Sequence, residues 1–204
     1  MTIKPTLPLA WGAKVSPEFR ARLYTLVAHL GWREERASDL MACMAFETGR
    51  TFSPSVRNPG SSAIGLMQFM ASTAKRLGTT TAALGRMSAV DQLDYVERYL
   101  ATQASRITGL DDMYMSILWP AAVGKTADTV LWRRGMAAFA ANRGLDVDKN
   151  GRITKREASA KVREQLRLGL QPGNVWMPSA TTSAQPVTRR AAERSLFLSE
   201  VQDG

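Results

Sequence analysis

The stretch Phe46-Glu47-Thr48-Gly49, followed after a polar loop by Ser62-Ala63-Ile64-Gly65-Leu66-Met67-Gln68-Phe69-Met70 and Ser72-Thr73-Ala74, decides the reading of this chain. Upstream of it, Ser38-Asp39 leads through Leu40, Met41, Met44 and Ala45 to Glu47 at helical spacing, with Gly49 just past the end. Glu47 thus stands in the last turn of an otherwise apolar helix, where the negative end of the helix dipole opposes a carboxylate. A solvated acid at a helix end is the plain reading. The functional reading is a carboxyl held protonated by the dipole and by partial burial, as a general acid must be. From Thr51 to Gly65 the pattern breaks into Phe, Ser, Pro, Asn and Gly, a loop.

Working outward, Ser16-Pro17-Glu18 is a helix start, with Phe19, Leu23, Leu26, Val27 and Leu30 inward-facing and Gly31 closing the run. His29 falls in its last turn and reads as a surface residue. Short helices are expected over Ser72–Leu77 and Thr81–Leu84, a longer one after Ser88, and another from Asp111-Asp112 to Pro120. No segment alternates with period two over strand length. The expected fold class is all-α: many short helices, not a bundle of long ones. The expected organisation is an N-terminal extension over 1–15, a catalytic domain over 16–144, a loop and helix over 145–170, and a linker with a disordered tail over 171–204. Residues 191–201 carry Leu196, Phe197, Leu198 and Val201 at amphipathic spacing.

Composition removes whole classes of function. The 204 residues are 45% hydrophobic and 22% charged, a globular balance. Cys43 is the one cysteine and His29 the one histidine, so a disulfide scaffold and cysteine- or histidine-built zinc sites are excluded. Carboxylates are left to do any catalysis. Lys+Arg 27 against Asp+Glu 18 gives +9, which attracts polyanions without choosing among them. No run approaches the ~20 apolar residues of a membrane span. The amino-terminal residues lack the ~7–15-residue apolar core of a signal peptide. The expectation is therefore synthesis in the cytoplasm and, for any role outside it, another route out.

The quoted motifs, in that order and with that gap, resemble the catalytic core of the soluble lytic transglycosylase and goose-type lysozyme superfamily. That pattern is Glu-Ser-Gly, a loop, Gly-Leu-Met-Gln, and a Ser-Thr-Ala helix start. Gln92-Leu93-Asp94-Tyr95-Val96-Glu97 and the run from Tyr114 to Gly124 are similar to phage and prophage lysozyme-like proteins. The resemblance spans roughly Trp11 to Leu170. It implies a lysozyme-like fold, bacterial peptidoglycan as partner, and Glu47 as the catalytic residue. It further implies substrate contacts from Thr48, Gly65, Leu66, Met67, Gln68 and Tyr114, and a monomer. Met67, Phe69 and Met70 also fit as core. The family's Ala-Tyr-Asn-Ala-Gly motif is missing. Tyr114 is the match for its tyrosine, with Phe139 and Asn142 as the alternative. Trp119 and Trp132 can stack on sugars, although burial is the commoner fate of a tryptophan at helical spacing.

Glycosidic cleavage commonly takes two carboxylates. After Glu47 none occurs until Asp91, while Arg50, Arg57, Lys75, Arg76 and Arg86 do. That favours a single carboxylate. By the resemblance, the muramic N-acetyl group stabilises the cation and the 6-hydroxyl closes a 1,6-anhydro ring, with no cofactor for catalysis. Hydrolysis by a water set on Asp111 or Asp112 is the alternative.

Asp146-Val147-Asp148-Lys149-Asn150-Gly151-Arg152-Ile153-Thr154-Lys155-Arg156-Glu157 matches the twelve-residue EF-hand calcium loop position for position. Asp146, Asp148, Asn150, the Arg152 carbonyl, Thr154 and Glu157 are the expected ligands of a structural calcium ion. Lys149, Lys155 and Arg156 surround them. A polar turn that binds nothing is the alternative.

Three functions follow as expectations. The first is a peptidoglycan-cleaving enzyme, either a released phage lysis enzyme, a virion component acting on periplasmic peptidoglycan, or a bacterial accessory protein. The second is a non-enzymatic calcium-binding interaction protein, which leaves Glu47 unexplained. Nucleic-acid binding has no recognition motif behind it, since basic residues such as Arg163 and Arg167 are spread through the chain.

Overall fold

The computed structural model describes residues 4–178. Helix α1 (Pro17–His29) starts as expected, with the Ser16 hydroxyl accepting from the Phe19 amide. Helix α2 (Glu35–Glu47) starts three residues before Ser38. The expected cap is occupied elsewhere: Ser38 Oγ accepts from the Ala10 amide and donates to the Pro8 carbonyl. Glu34, just before α2, takes the amides of Thr6 and Leu7 and the Thr6 hydroxyl. Because Leu40 through Ala45 are buried without a break, α2 is apolar all round and lies at the centre of the core.

Helices α3 (Ala71–Arg76), α4 (Thr81–Leu84) and α5 (Ala89–Ala101) follow, the last two capped by Thr80 and Ser88. Then come α6 (Leu110–Leu118), α7 (Ala137–Asn142), α8 (Lys155–Ala158) and α9 (Ala160–Gly169). Helix α2 packs against α1, α6 and α9, and α5 covers α1. The chain is mainly helical. Among the described residues, no helix is long and apolar enough to cross a membrane.

Two short strands were not expected. β1 (Val130–Arg133) and β2 (Arg152–Thr154) pair antiparallel, with Trp132 opposite Ile153 and a bulge between Val130 and Trp132. Strands of three and four residues are too short to display a period, and β2 lies inside the acidic loop.

The chain ends also differ from expectation. Residues 9–12 are core, not an extension, and residues 171–176 close on them. The amides of Leu9 and Trp176 each donate to the other's carbonyl at 2.9 and 3.0 Å, and Ala13 N donates to Asn174 O at 3.0 Å. Trp11 is buried against Gly169, where any Cβ would lie 2.5 Å from the indole. Only glycine lets α9 come this close. The remainder of the expected tail, 179–204, lies outside the described residues, as do residues 1–3.

Candidate active site

Glu47 is the final residue of α2, and the chain turns away from it through a tightly bonded corner. Thr48 donates its hydroxyl to the Met44 carbonyl at 2.7 Å and accepts from the Phe52 amide at 3.1 Å. Gly49 (φ 58°) takes the left-handed conformation expected just past a helix end. Thr48 is buried, and its contacts are with its own corner. Its role is to build the turn that presents Glu47, in place of the substrate contact expected from the resemblance.

No cation and no hydrogen-bond donor reaches the Glu47 carboxyl among the described residues. Burial pushes its pKa up to about 7. A carboxyl in such surroundings is poised to give and take a proton near neutral pH. Tyr114, on α6, packs edge-on against Phe46 with ring centroids 5.6 Å apart. Burial raises the Tyr114 hydroxyl well above its ordinary value, and the neighbouring Glu47 charge adds to the rise. The structure therefore brings Tyr114 and Glu47 together. One turn below Glu47, the Cys43 thiol is buried and strongly raised for the same two reasons.

The glycine-led motif forms a compact loop. Gly65 (φ 79°) donates to Val56 O at 2.9 Å, and Ile64 bridges both Arg57 and Phe69. Gln68 donates its amide nitrogen to Val56 O and Gly65 O, both at 3.1 Å, which fixes the turn. Its amide oxygen has no hydrogen bond among the described residues and remains an acceptor for a ligand. Leu66 and Met67 are buried in the core, so neither is a substrate contact.

Sequence reasoning missed Gln92. Fully buried on α5, its amide accepts from Leu66 N at 2.6 Å and donates to Pro54 O and Leu84 O at 3.2 and 3.0 Å. A Cβ at Gly65 would lie 2.2 Å from the Gln92 oxygen. Gly65 therefore serves conformation and close approach. The available signal was an amide on a helix face otherwise formed by Leu93, Val96 and Leu100.

Asp111 and Asp112 are both engaged. Asp111 pairs with Arg163 at 2.5 Å. Asp112 pairs with the buried Lys155 at 2.5 Å and accepts from Thr108 N, Thr108 Oγ1 and Gly124 N. Burial pushes Asp112 up, but these bonds outweigh it and hold the carboxyl below its ordinary value. Trp132 is 2% exposed while Trp119 is 42% exposed, and their rings meet edge-on at 5.5 Å. His29 is exposed and bonded to Glu97.

In the acidic loop, carboxylate oxygens of Asp146, Asp148 and Glu157 lie within 4.8 Å of one another. Gly151 (φ 82°) makes the sharp turn. Asp146 Oδ1 is buried with no partner, which fits a cation as the missing neighbour. Glu157 forms a capping box with Thr154, accepting its amide and hydroxyl, and also takes the Val147 amide. Burial raises Glu157, and these bonds more than reverse the rise. Asp148 and Asn150 bond to each other, and Asn150 Oδ1 takes the Arg152 amide. Of the surrounding cations, Lys155 points inward to Asp112 and Arg156 pairs with Asp128. The chain matches no family profile, no curated protein and no solved structure.

Proposed function

We propose that the chain cleaves the β-1,4 bond between N-acetylmuramic acid and N-acetylglucosamine in peptidoglycan, with Glu47 as the single acid/base. The observation that carries this reading is a partly buried carboxyl at the end of α2 that no cation stabilises and that titrates near neutrality. The ordered motifs from Glu47 to Ala74 supply the substrate class by their resemblance to lytic transglycosylases and goose-type lysozymes. The helical architecture is compatible with a lysozyme-like fold.

In this mechanism the protonated Glu47 gives its proton to the glycosidic oxygen as the C1–O bond breaks. The muramic N-acetyl oxygen shields the cation at C1. Glu47, now a carboxylate, takes the proton of the 6-hydroxyl as that oxygen attacks C1, closing the 1,6-anhydro ring and restoring the acid. Tyr114 and the free Gln68 oxygen flank the reacting sugar. Ring closure is favoured over water attack because Asp111 and Asp112, the candidate bases, are held by Arg163 and Lys155. The +9 charge draws the chain to the anionic wall.

Asp146, Asp148, Asn150, the Arg152 carbonyl, Thr154 and Glu157 would hold a calcium ion in an EF-hand-like loop. The ion would supply charge neutralisation and rigidity there and no chemistry.

Mass spectrometry of purified peptidoglycan digested with wild type and with Glu47→Gln tests the assignment. Wild type should release muropeptides with 1,6-anhydromuramic ends, one water lighter than hydrolysis products. Glu47→Gln, with unchanged circular dichroism, should be slower by about 10²–10⁴. Activity near wild type in that variant overturns the role of Glu47. Reducible ends as the main product would replace ring closure with hydrolysis.

A further inference from the structure

The acidic loop and the Glu47 region are joined by one buried side chain. Lys155 follows Thr154 in the loop and is the first residue of α8. Its ammonium is buried and donates to Asp112 Oδ1 at 2.5 Å, Lys125 O at 2.7 Å and Ala122 O at 3.3 Å. All three protons of the ammonium thus have acceptors, each on the segment between the first turn of α6 and residue 125. Asp112 gathers the same segment from the other side through Thr108 and Gly124. Two backbone bonds reinforce the junction: Lys155 N to Thr129 O at 2.9 Å and Arg156 N to Ala127 O at 2.8 Å. Arg163, on α9, adds Asp111 of α6 and the Arg156 carbonyl. The first turn of α6 is therefore fastened to the helices that leave the loop. Two residues beyond Asp112 on the same helix stands Tyr114, beside Glu47.

We propose that Lys155 is a positioning residue that couples calcium occupancy of the 146–157 loop to the placement of α6, and through Tyr114 to the Glu47 site. The proposal rests on the calcium and peptidoglycan readings above. The physical link is Glu157. Its two oxygens hold the first turn of α8 through the Thr154 amide and hydroxyl, and they are also expected ligands of the ion. Loading the loop redistributes those bonds within the turn that carries Lys155. A buried ion pair transmits such a change because neither partner can move without leaving a charge unpaired. By linkage, whatever calcium does to α6, a constraint on α6 must do to calcium affinity.

The test is amide hydrogen exchange on the full chain with calcium chloride or with chelator, read at residues 147–154 and 108–125. Lys155→Met alone leaves Asp112 buried and uncompensated and risks unfolding. The informative variant is therefore Lys155→Met with Asp112→Asn, and Lys155→Arg serves as the conservative rescue. In wild type, calcium should slow exchange in both segments. In the double variant it should slow only 147–154, and calcium affinity should fall by about fivefold. Lys155→Arg should restore the response at 108–125. The proposal is overturned if 108–125 responds equally in the double variant. It is equally overturned if wild type responds at 147–154 alone, or at neither segment. On peptidoglycan, calcium should raise kcat of wild type and leave KM unchanged, and the double variant should lose that gain. Exchange needs no substrate, so a coupled protein that cleaves nothing would sink the catalytic reading and leave the coupling standing.

Discussion

Glu47 and Glu157 are the same side chain placed at opposite ends of helices, and their environments push them in opposite directions. Glu47 closes α2, where the dipole is negative, and no donor among the described residues reaches its carboxyl, which rises to about 7. Glu157 lies in the first turn of α8, where free amides point outward, and three backbone or hydroxyl donors from Val147 and Thr154 hold it below its ordinary value. Burial raises both groups. Donors decide which stays raised. A carboxyl kept short of donors is suited to moving a proton, and one supplied with them is suited to holding charge beside a cation.

The contrast is broken most forcefully at Glu47. Its folded pKa is raised above the unfolded value of 4.5, so the contribution to stability is fully present below that value and is lost as pH rises through about 7. Above pH 7 the fold carries a partly buried, uncompensated carboxylate. Glu47→Gln removes the charge and keeps the shape. At pH 8 the variant should therefore be more stable than wild type by up to about 3 kcal/mol, and at pH 4 the two should be alike. Urea denaturation at the two pH values measures this. Equal stability at pH 8 would show that Glu47 ionises as freely as a surface acid.

Glu157 gives the opposite sign. Calcium at ~100 times its dissociation constant should stabilise the fold by about 2.7 kcal/mol. That corresponds to a rise in Tm of roughly 5–10 °C for a chain of this size. Because Lys155 and Arg156 already pair with Asp112 and Asp128, they oppose the ion less than their positions in the sequence imply. Glu157→Gln should abolish the calcium response and also lower Tm in chelator, since the capping box weakens. Melting curves of wild type that coincide in calcium and in chelator would make the loop an ordinary turn.

Helices were legible where a cap and an apolar period agree, as at Ser16, Thr80 and Ser88, because both signals are local. The start of α2 was not, because Ser38 is drawn to a segment 28 residues away. The β1–β2 pairing was hidden for a related reason: its hydrogen bonds join residues more than 20 apart in strands too short to show a pattern. At the site, Glu47 and Tyr114 could be read from the motif order. Leu66 and Met67 could not be separated from ligand-facing positions, since burial is a property of the folded loop. Gln92 was invisible as a clamp because its three backbone partners come from three separate segments. The inward turn of Lys155 requires Asp112 to be beside it, which no spacing records.

The smallest effect is expected at the carboxyl-terminal end, where two cuts separate what the fold uses from what it does not. Residues 171–176 return to the amino-terminal segment, and Trp176 packs on Tyr24 and under Arg20 beside α1. Ending the chain at Leu170 removes the two Leu9–Trp176 backbone bonds, at roughly 1 kcal/mol each, together with the indole contacts. That cut should lower stability by about 2 kcal/mol or more and loosen Trp11, which lies against α9. Because α9 packs along α2, the cut should also admit water to the end of α2 and bring the pKa of Glu47 down from about 7. The calcium response should persist, since its ligands lie far from the strap. Ending the chain at Pro178 instead should leave Tm, the pKa of Glu47 and cleavage of isolated peptidoglycan unchanged, because Ser179 onward reads as a Ser/Thr/Ala/Pro linker. A loss of Tm on the longer truncation product would mean that residues beyond 178 also pack on the domain.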